Sequence, residues 1–461
     1  MVPMGALLPM PPVAGRSVRD AATPASPLLD QVEGFLTTLA GDLEPAVAGP
    51  PGRGRPRILP AMALWCGLTV GVLRGWHEQK ALWRLLAGTG LWHFAPFPIA
   101  DEAVYRRLSA ADPSPMADFF TALTAVLVER LTPLADRGLA PFAPEVFALD
   151  QTTLDPVARR LPALRDVPPG DAQLLPGKLA GVFDIRRQLW RRIEYLADPR
   201  QNEKLACRDL VAGLPRRSLL LFDLGDFAFE WFDDLTTDGF RWISRLREKT
   251  SFELIHVFAQ DGETLDALVW LGKHRADRAK YAVRLVQFRR GDGLHRYLTN
   301  VLCPRRLPLA EIARLYARRW DIELAVNTAK TDLHLHLLWS SKPAVILHQV
   351  WAVLTIAQVL QARRVLVAAA AKVDPFDVSL RLLIRYLPHY AARGLDPIAA
   401  FAADGRRLGF IRPSRRLRIT APLIPPDTLH PPPKGTRLVR TPRYARRNCD
   451  RKKPPQAAPG I

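Results

Sequence analysis

The chain has 461 residues, of which 48% are hydrophobic and 24% are charged, a composition typical of a soluble globular protein with more than one domain. The formal net charge of +20 predicts a polyanionic partner, with nucleic acid ahead of a membrane surface. Widely spaced cysteines exclude a paired zinc or redox motif and indicate free thiols in a reducing cytosol; they are Cys66, Cys207, Cys303 and Cys449.

The first 140 residues divide into two parts. Residues 1–56 are rich in proline and glycine and lack the basic opening and long apolar run of a secretory signal. Residues 57–140 have apolar side chains at intervals of three and four, which predicts a helical domain. A DNA-contacting domain and a plain helical bundle with solvated charges explain its basic residues equally well. Apolar stretches at 61–73 and 344–360 are too short or too interrupted to span a bilayer.

The pattern changes from helical to mixed in residues 141–248. Apolar runs predict strands at 145–150, 178–186, 188–196, 218–226 and 240–248. The segments 203–214 and 226–236 between them predict helices. This alternation indicates an α/β or mixed α+β core.

The rest of the chain begins with a β-rich segment and ends with a basic one. Residues 249–306 contain the alternating runs FELIHVF, YAVRLVQF and HRYLTNVL, with RRGDG as a turn. Helices are predicted from about Pro308, at 344–371 and at 379–392. Residues 406–461 hold 15 of the 65 lysines and arginines but only 2 of the 45 acids. This Arg/Pro-rich tail is either a solvated, disordered segment or a contact for a polyanion.

Two aspartates share one local context. Asp150 in FALDQTT and Asp223 in LLFDLGD each end an apolar strand-like run and precede a loop. A carboxylate at a strand end is well placed to hold a metal ion, and its oxygens suit Mg²⁺. Each aspartate also suits a simple turn or helix cap, so both interpretations stay open. The acids that compete for these roles are Asp155, Asp184, Asp226, Asp233, Asp234 and Asp321.

A helix through YARRWDIELAVNTAK, residues 316–330, gathers a charged stripe within an arc of roughly 60°: Tyr316, Arg319, Glu323 and Lys330. The neighbouring face is apolar and predicts the core contact through Ile312, Leu315, Ile322, Val326 and Ala329. An acid among cations fits a site where Glu323 binds metal and its neighbours grip phosphates. The alternative is an ordinary ion pair between Glu323 and a nearby arginine or lysine.

The spacing of the charged stripe, with two, three and six residues between its members, resembles a known signature. It is the Y-R-E-K signature of bacterial insertion-sequence transposases with a DDE triad, in the insertion-sequence-four-like group. FALDQTTL resembles that group's first-Asp strand, and LLLFDLGDF resembles its second-Asp motif. RYLTNVL followed by RLPLAEIARLYARRWDIEL resembles the approach to its glutamate helix. The specific motifs extend over roughly residues 145–360.

The resemblance implies a ribonuclease-H-like catalytic core at 141–248 and 307–365, interrupted by a β-rich insertion at 249–306. The helical domain at 57–140 and C-terminal helices at 366–405 would flank this core. The resemblance also implies Mg²⁺ or Mn²⁺ held by Asp150, Asp223 and Glu323, with DNA contacts from Tyr316, Arg319 and Lys330. Trp320 is expected in the core rather than stacked on a displaced base. His334 and His336, two residues apart on a helix, are not expected to share one metal ion.

The function implied is that of a DNA transposase, with metal-dependent phosphodiester cleavage at transposon ends and strand transfer into target DNA. Its partners would be double-stranded DNA, as terminal repeats and as target, and a second copy in a synaptic homodimer. No membrane partner is expected, and the expected location is the bacterial cytoplasm, at the nucleoid. The alternatives are an inactive or domesticated transposase-derived DNA-binding protein and a metal-dependent nuclease without strand transfer.

Overall fold

The structure, a computed structural model, describes residues 58–444 apart from 77, 92–93, 155–158, 160, 169–170, 172–176, 198–202, 224–226, 274–276, 292, 332–337 and 414–420. Several predictions lie outside the described residues: the N-terminal segment 1–56, the end of the basic tail, Asp155, Asp226, His334 and His336.

Helices and strands are both well represented in the described residues, which confirms the mixed α/β class. The α-helices are α1 (Ala61–Leu73), α2 (Gln79–Arg84), α3 (Asp101–Ala110), α4 (Ser114–Leu131), α5 (Glu203–Ala212), α6 (Phe229–Thr237), α7 (Leu309–Thr331), α8 (Pro343–Ala371), α9 (Leu380–Ala392) and α10 (Pro397–Asp404). The strands are β1 (Val146–Thr153), β2 (Lys178–Asp184), β3 (Leu189–Leu196), β4 (Leu219–Phe222), β5 (Arg241–Arg245), β6 (Phe252–Asp261), β7 (Thr264–Leu271), β8 (Val283–Arg290) and β9 (Gly293–Thr299). A π-helical turn covers Leu85–Thr89, and 3₁₀ turns cover Thr132–Leu134, Pro162–Leu164, Pro375–Asp377 and Pro426–Thr428.

Two elements, β7 and α10, were not predicted individually, although α10 lies within the predicted helical region 366–405, and each has a physical reason. Strand β7 contains Asp266, an acid that interrupts its apolar pattern, yet this side chain is buried. Helix α10 has only eight residues and depends on a cap, because the Asp396 side chain accepts the N–H groups of residues 398 and 399. Short elements held by specific polar contacts carry little periodicity.

Internal contacts divide the chain into two compact units. The first unit comprises residues 1–215 and 314–419, and the second comprises residues 216–313 and 420–461. This division does not test the predicted domain boundaries, which stay predictions.

The first unit contains the antiparallel strands β3, β2 and β1, in that order, and a core helix. That helix is α8, which has 29 residues, and α1, α4 and α10 pack against it. Its length and apolar composition are sufficient to cross a membrane, and 89% of the apolar window is buried inside the protein. The helix therefore forms the apolar centre of this unit.

A buried glutamine in α8 completes the outer edge of β3. Gln358 Oε1 accepts the Trp190 N–H at 3.1 Å, and its Nε2 donates to the Trp190 carbonyl at 2.8 Å. The same Nε2 donates to Thr124 Oγ1 at 2.9 Å. Because unpaired backbone groups are costly inside a core, this amide replaces the strand that is missing beside Trp190.

The second unit contains the parallel pair β4 and β5, and β5 continues into the antiparallel order β9, β8, β7, β6. Arg284 of β8 is fully buried and forms two bonds of 2.6 Å with Asp266 of β7. It also donates to the Leu307 carbonyl at 2.6 Å. These bonds compensate the loss of solvation of the buried pair.

Residues 421–444 form a C-terminal strap along the second unit. The His430 N–H donates to the Phe258 carbonyl of β6 at 2.8 Å, and His256 Nε2 bonds the His430 carbonyl at 2.7 Å. At the far end, the Tyr444 hydroxyl donates to Asp233 Oδ2 at 2.8 Å. This part of the predicted basic tail is therefore hydrogen-bonded into the second unit rather than solvated along its whole length.

Candidate active site

Asp150 lies within β1, three residues before its end, and not at the strand end that the sequence predicts. Its side chain is half-buried, and Oδ1 accepts the Gln151 N–H at 2.8 Å. Gly181 stands opposite on β2, and a Cβ there would lie 2.5 Å from the Trp190 ring. The glycine thus allows the indole to pack against β2 next to the aspartate.

Lys330 near the end of α7 reaches the same strand. Its Nζ donates to Thr152 Oγ1 at 2.8 Å. Thr152 is two residues after Asp150, so both side chains leave the strand on one face. Asp150 and Lys330 also line one small, mostly apolar cavity together with Val326 and Leu354. The structure therefore brings these two predicted site residues to one place in the first unit.

The first three members of the charged stripe contact one another. Arg319 is only 5% exposed, and its Nη2 donates to Glu323 Oε1 at 2.5 Å. Its guanidinium carbon lies 5.8 Å from the centre of the Tyr316 ring. The ordinary ion pair considered as the alternative is therefore present, and it joins the predicted metal ligand to a predicted phosphate ligand.

Asp223 belongs to the second unit. It follows β4 directly, and all four residues of that strand are buried. The aspartate itself is half-buried. The predicted context, a carboxylate at the end of an apolar strand, is confirmed for this residue.

Three of the competing acids have structural partners. Asp184 accepts two backbone N–H groups and pairs with Arg187 at 2.7 Å. Asp233 accepts the N–H groups of residues 280 and 281 and the hydroxyl at the end of the strap. Asp321 accepts Gln188 Nε2 at 3.1 Å. Burial raises the pKa of all three carboxyls, to about 7 for Asp321. These acids hold the fold together.

Trp320 corrects one expectation, because it is 47% exposed and is not a core residue. At 100° per residue it lies on the far side of α7 from the apolar face. The polar network around Asp321 was also missed by sequence reasoning. Its signal is weak: Arg318 and Asp321 are three residues apart on a helix that has many other charges.

The predicted donors suit Mg²⁺ by their chemistry, since carboxylate oxygens are its preferred protein ligands. Asp150 and Glu323 each already accept a hydrogen bond, from Gln151 and Arg319 respectively. Across the described ranges, no three His, Cys, Asp or Glu side chains form a ready metal-binding group. The donor types therefore fit the ion, and their assembly around it stays a prediction.

Comparison with known proteins finds the family described as the transposase DDE domain, matched by residues 192–359, a little over a third of the chain. Asp223 and the charged stripe lie inside this segment, and Asp150 lies upstream of it. No curated protein matches the chain. A solved structure of a piggyBac transposase synaptic complex with hairpin DNA is similar over 87% of each chain, with 8% identity and a TM-score of 0.40. Residues 192–359 are therefore similar to the transposase DDE domain, and this similarity supports a transposase.

Proposed function

We propose that the protein is a DNA transposase of the insertion-sequence-four-like group, with a ribonuclease-H-like catalytic core. The observation that carries the proposal is the transposase DDE match over residues 192–359. It contains Asp223, at the end of a buried strand, and the whole charged stripe with its Y-R-E-K spacing. The half-buried Asp150 beside Lys330 supplies the remaining acid.

The proposed reaction has two steps. A water oxygen attacks the phosphorus at the transposon end, and the bond to the 3′-oxygen breaks, which frees a 3′-hydroxyl. That hydroxyl then attacks a target phosphorus and displaces the target's own 3′-oxygen. Asp150, Asp223 and Glu323 are the proposed ligands of Mg²⁺ or Mn²⁺, which supplies activation of the attacking oxygen and stabilisation of the leaving one.

The rest of the stripe positions the DNA. Arg319 is almost fully buried, so its charge needs an anion close by, and Glu323 fills that role in this structure. A DNA phosphate is the proposed replacement, since guanidinium binds phosphate with two donors. Tyr316 adds a hydroxyl, and Lys330 adds a charge on the face of β1 that carries Asp150.

The proposed partners are double-stranded DNA, as terminal repeats and as target, and a second copy of the chain in a synaptic homodimer. The net charge of +20 supports a polyanionic partner. A membrane has no part in the proposal, and the proposed location is the bacterial cytoplasm, at the nucleoid.

The test is an Mg²⁺-dependent cleavage assay on duplex DNA that carries the native element end. Glu323→Gln keeps the shape of the side chain but removes its charge, so we expect at least about a 10³-fold loss of cleavage. The matched control is Glu311→Gln, on the same helix and outside the stripe, with cleavage unchanged.

Strand-transfer products in the same assay separate a transposase from a nuclease. Cleavage without joined products would favour a metal-dependent nuclease. Binding without cleavage by the wild type would favour a transposase-derived DNA-binding protein. Equal cleavage by wild type and Glu323→Gln would overturn the role of Glu323.

A further inference from the structure

One face of the second unit's sheet collects positive charge around aromatic rings. Strand pairing places Arg245 of β5 opposite Tyr297 of β9, and His295 of β9 opposite Phe288 of β8. Directly paired residues share a face, as do residues two apart on one strand. The pairing therefore sets Arg245, Tyr297, His295 and Phe288 side by side, with Arg290 two residues after Phe288. These five residues are called the β5–β8 cationic face.

The aromatic rings of this face stand in a stacked row. The His295 ring lies 5.5 Å from Phe288 and 6.3 Å from Tyr297, at interplanar angles of 17° and 22°. Phe288 and Tyr297 are buried, and the Tyr297 hydroxyl lies 3.3 Å from His295 Nδ1. The half-buried imidazole is thus oriented by the Phe288 and Tyr297 rings that pack against it.

The charges of this face have no acidic counterpart in the described chain. Arg245 and Arg290 are exposed, and no described carboxylate forms an ion pair with either of them. Asp292, two residues after Arg290 in the sequence, lies outside the described residues. Burial and the guanidinium groups of Arg245 and Arg290 lower the pKa of His295. The imidazole therefore lies in a positive field that an anion would relieve.

The opposite face of the same strands differs. Arg289 is paired with Glu263, and Arg296 donates to Gln287 Oε1 at 2.7 Å. Arginines on that side are thus tied to neighbours within the sheet. The contrast shows that strands β5, β9 and β8 present two chemically distinct surfaces. The arginines without an acidic partner among the described residues, Arg245 and Arg290, lie on one of them.

We propose that the β5–β8 cationic face binds the sugar–phosphate backbone of DNA, with Arg245 and Arg290 on phosphates and His295 as a third contact when protonated. Two strand spacings and four residues along β9 separate the arginines, roughly 16 Å. That span exceeds the spacing between neighbouring phosphates, so more than one phosphate can be contacted. The identification of the polyanion as DNA rests on the proposed function.

The geometry of the face couples protonation of His295 to phosphate binding. The groups that face it are Arg245, Arg290, Tyr297 and Phe288, from all three strands that form the face. A bound phosphate would reverse the field and favour the imidazolium form. Binding through this face should therefore strengthen as the pH falls from 8 to 6.

The test is fluorescence anisotropy of a labelled duplex of arbitrary sequence, in EDTA, over about 50 to 200 mM salt. Removing both arginines (Arg245→Gln with Arg290→Gln) should reduce the slope of log K against log salt by about 2. Arg296→Gln, on β9 between the strands of the two arginines but on the opposite face, is the control, and we expect it to leave the slope unchanged. The double lysine variant keeps both charges and should retain most of the slope, which guards against a folding defect.

His295→Gln supplies an independent readout. It should remove the part of the pH dependence that the wild type shows between pH 6 and pH 8. Equal slopes for the double glutamine variant and Arg296→Gln would overturn the proposal, as would an unchanged pH profile in His295→Gln. EDTA prevents metal-dependent cleavage, so the binding assay is independent of the cleavage assay. A loss of DNA binding that is specific to this face would therefore support the proposal even if the protein does not cleave DNA. Normal cleavage and unaltered DNA binding by the double glutamine variant would overturn the proposal for this face and leave the proposed function intact.

Discussion

Helix α7 carries charge on both sides of its apolar face, and the two sides differ in how they are satisfied. On one side, Arg319 pairs with Glu323, four residues later on the same helix. On the other side, Arg318 pairs with Asp374, and Asp321 accepts Gln188, both far away in sequence. The two arginines are equally buried, and what differs is that the partners of Arg318 and Asp321 come from other segments of the chain.

This difference teaches how a structural charge can be told from one available for chemistry. Arg318 and Asp321 have partners from two other segments. Replacing one member of either pair therefore leaves its partner without a compensating hydrogen bond. Arg319 and Glu323 lie on the same helix, so a ligand can replace one partner of this pair while the helix stays in place. We therefore expect substitutions on one side to affect stability and on the other to affect DNA cleavage.

The largest expected effect on stability is at Arg318. Arg318→Met removes the two bonds to Asp374 and the contact of the guanidinium with the Phe376 ring, 4.4 Å from its centre. The half-buried Asp374 carboxylate loses its charged partner, so we expect a loss of about 2 kcal/mol of unfolding free energy. Urea denaturation measures it. Arg318→Lys keeps the charge and should lose clearly less, and equal losses for the two variants would contradict the ion-pair argument.

On the side that carries Arg319 and Glu323, Arg319→Gln should change activity more than stability. It removes the proposed phosphate contact next to Glu323, and we expect cleavage to fall by about 10- to 100-fold. The midpoint of urea denaturation should move less than in Arg318→Met. A loss of stability as large as that of Arg318→Met, with cleavage unchanged in the folded fraction, would erase the distinction between the two sides.

The smallest expected effect is a pH dependence of stability that comes from Asp321. Burial raises the pKa of Asp321 to about 7, so the folded protein holds this proton more tightly than the unfolded chain. The corresponding stability is present at low pH and is lost as the pH rises from about 4 to 7. Asp321→Asn should therefore raise the stability of the protein relative to the wild type at pH 8 and change it little at pH 4.5. Melting temperatures at the two pH values measure this, and a pH-independent difference would contradict it.

The strands that carry the acids could be predicted because their signal is local. Val146–Leu149 and Leu219–Phe222 are unbroken apolar runs, and each leads into an aspartate. The apolar face of α7 was equally visible, since Ile312, Leu315 and Ile322 are buried as the helical period requires.

What could not be predicted depends on partners far apart in the sequence. Nothing near Gln358 indicates that its amide pairs with Trp190, 168 residues away. The burial of Asp321 follows from the segments that pack on its side of the helix, whereas the exposure of Trp320 agrees with its place opposite the apolar face. A residue's chemistry alone does not give that information.

The C-terminal strap has a consequence for the order in which the protein is made. His256 and His430, which it joins, are separated by 174 residues. At 5–20 residues per second, the ribosome needs roughly 10 to 35 s to deliver the second after the first. During that interval β6 is a newly made strand whose edge lacks its final covering, the situation in which strands pair with other chains. Prompt translation of the 174 residues from His256 to His430 therefore helps to protect the nascent protein from aggregation.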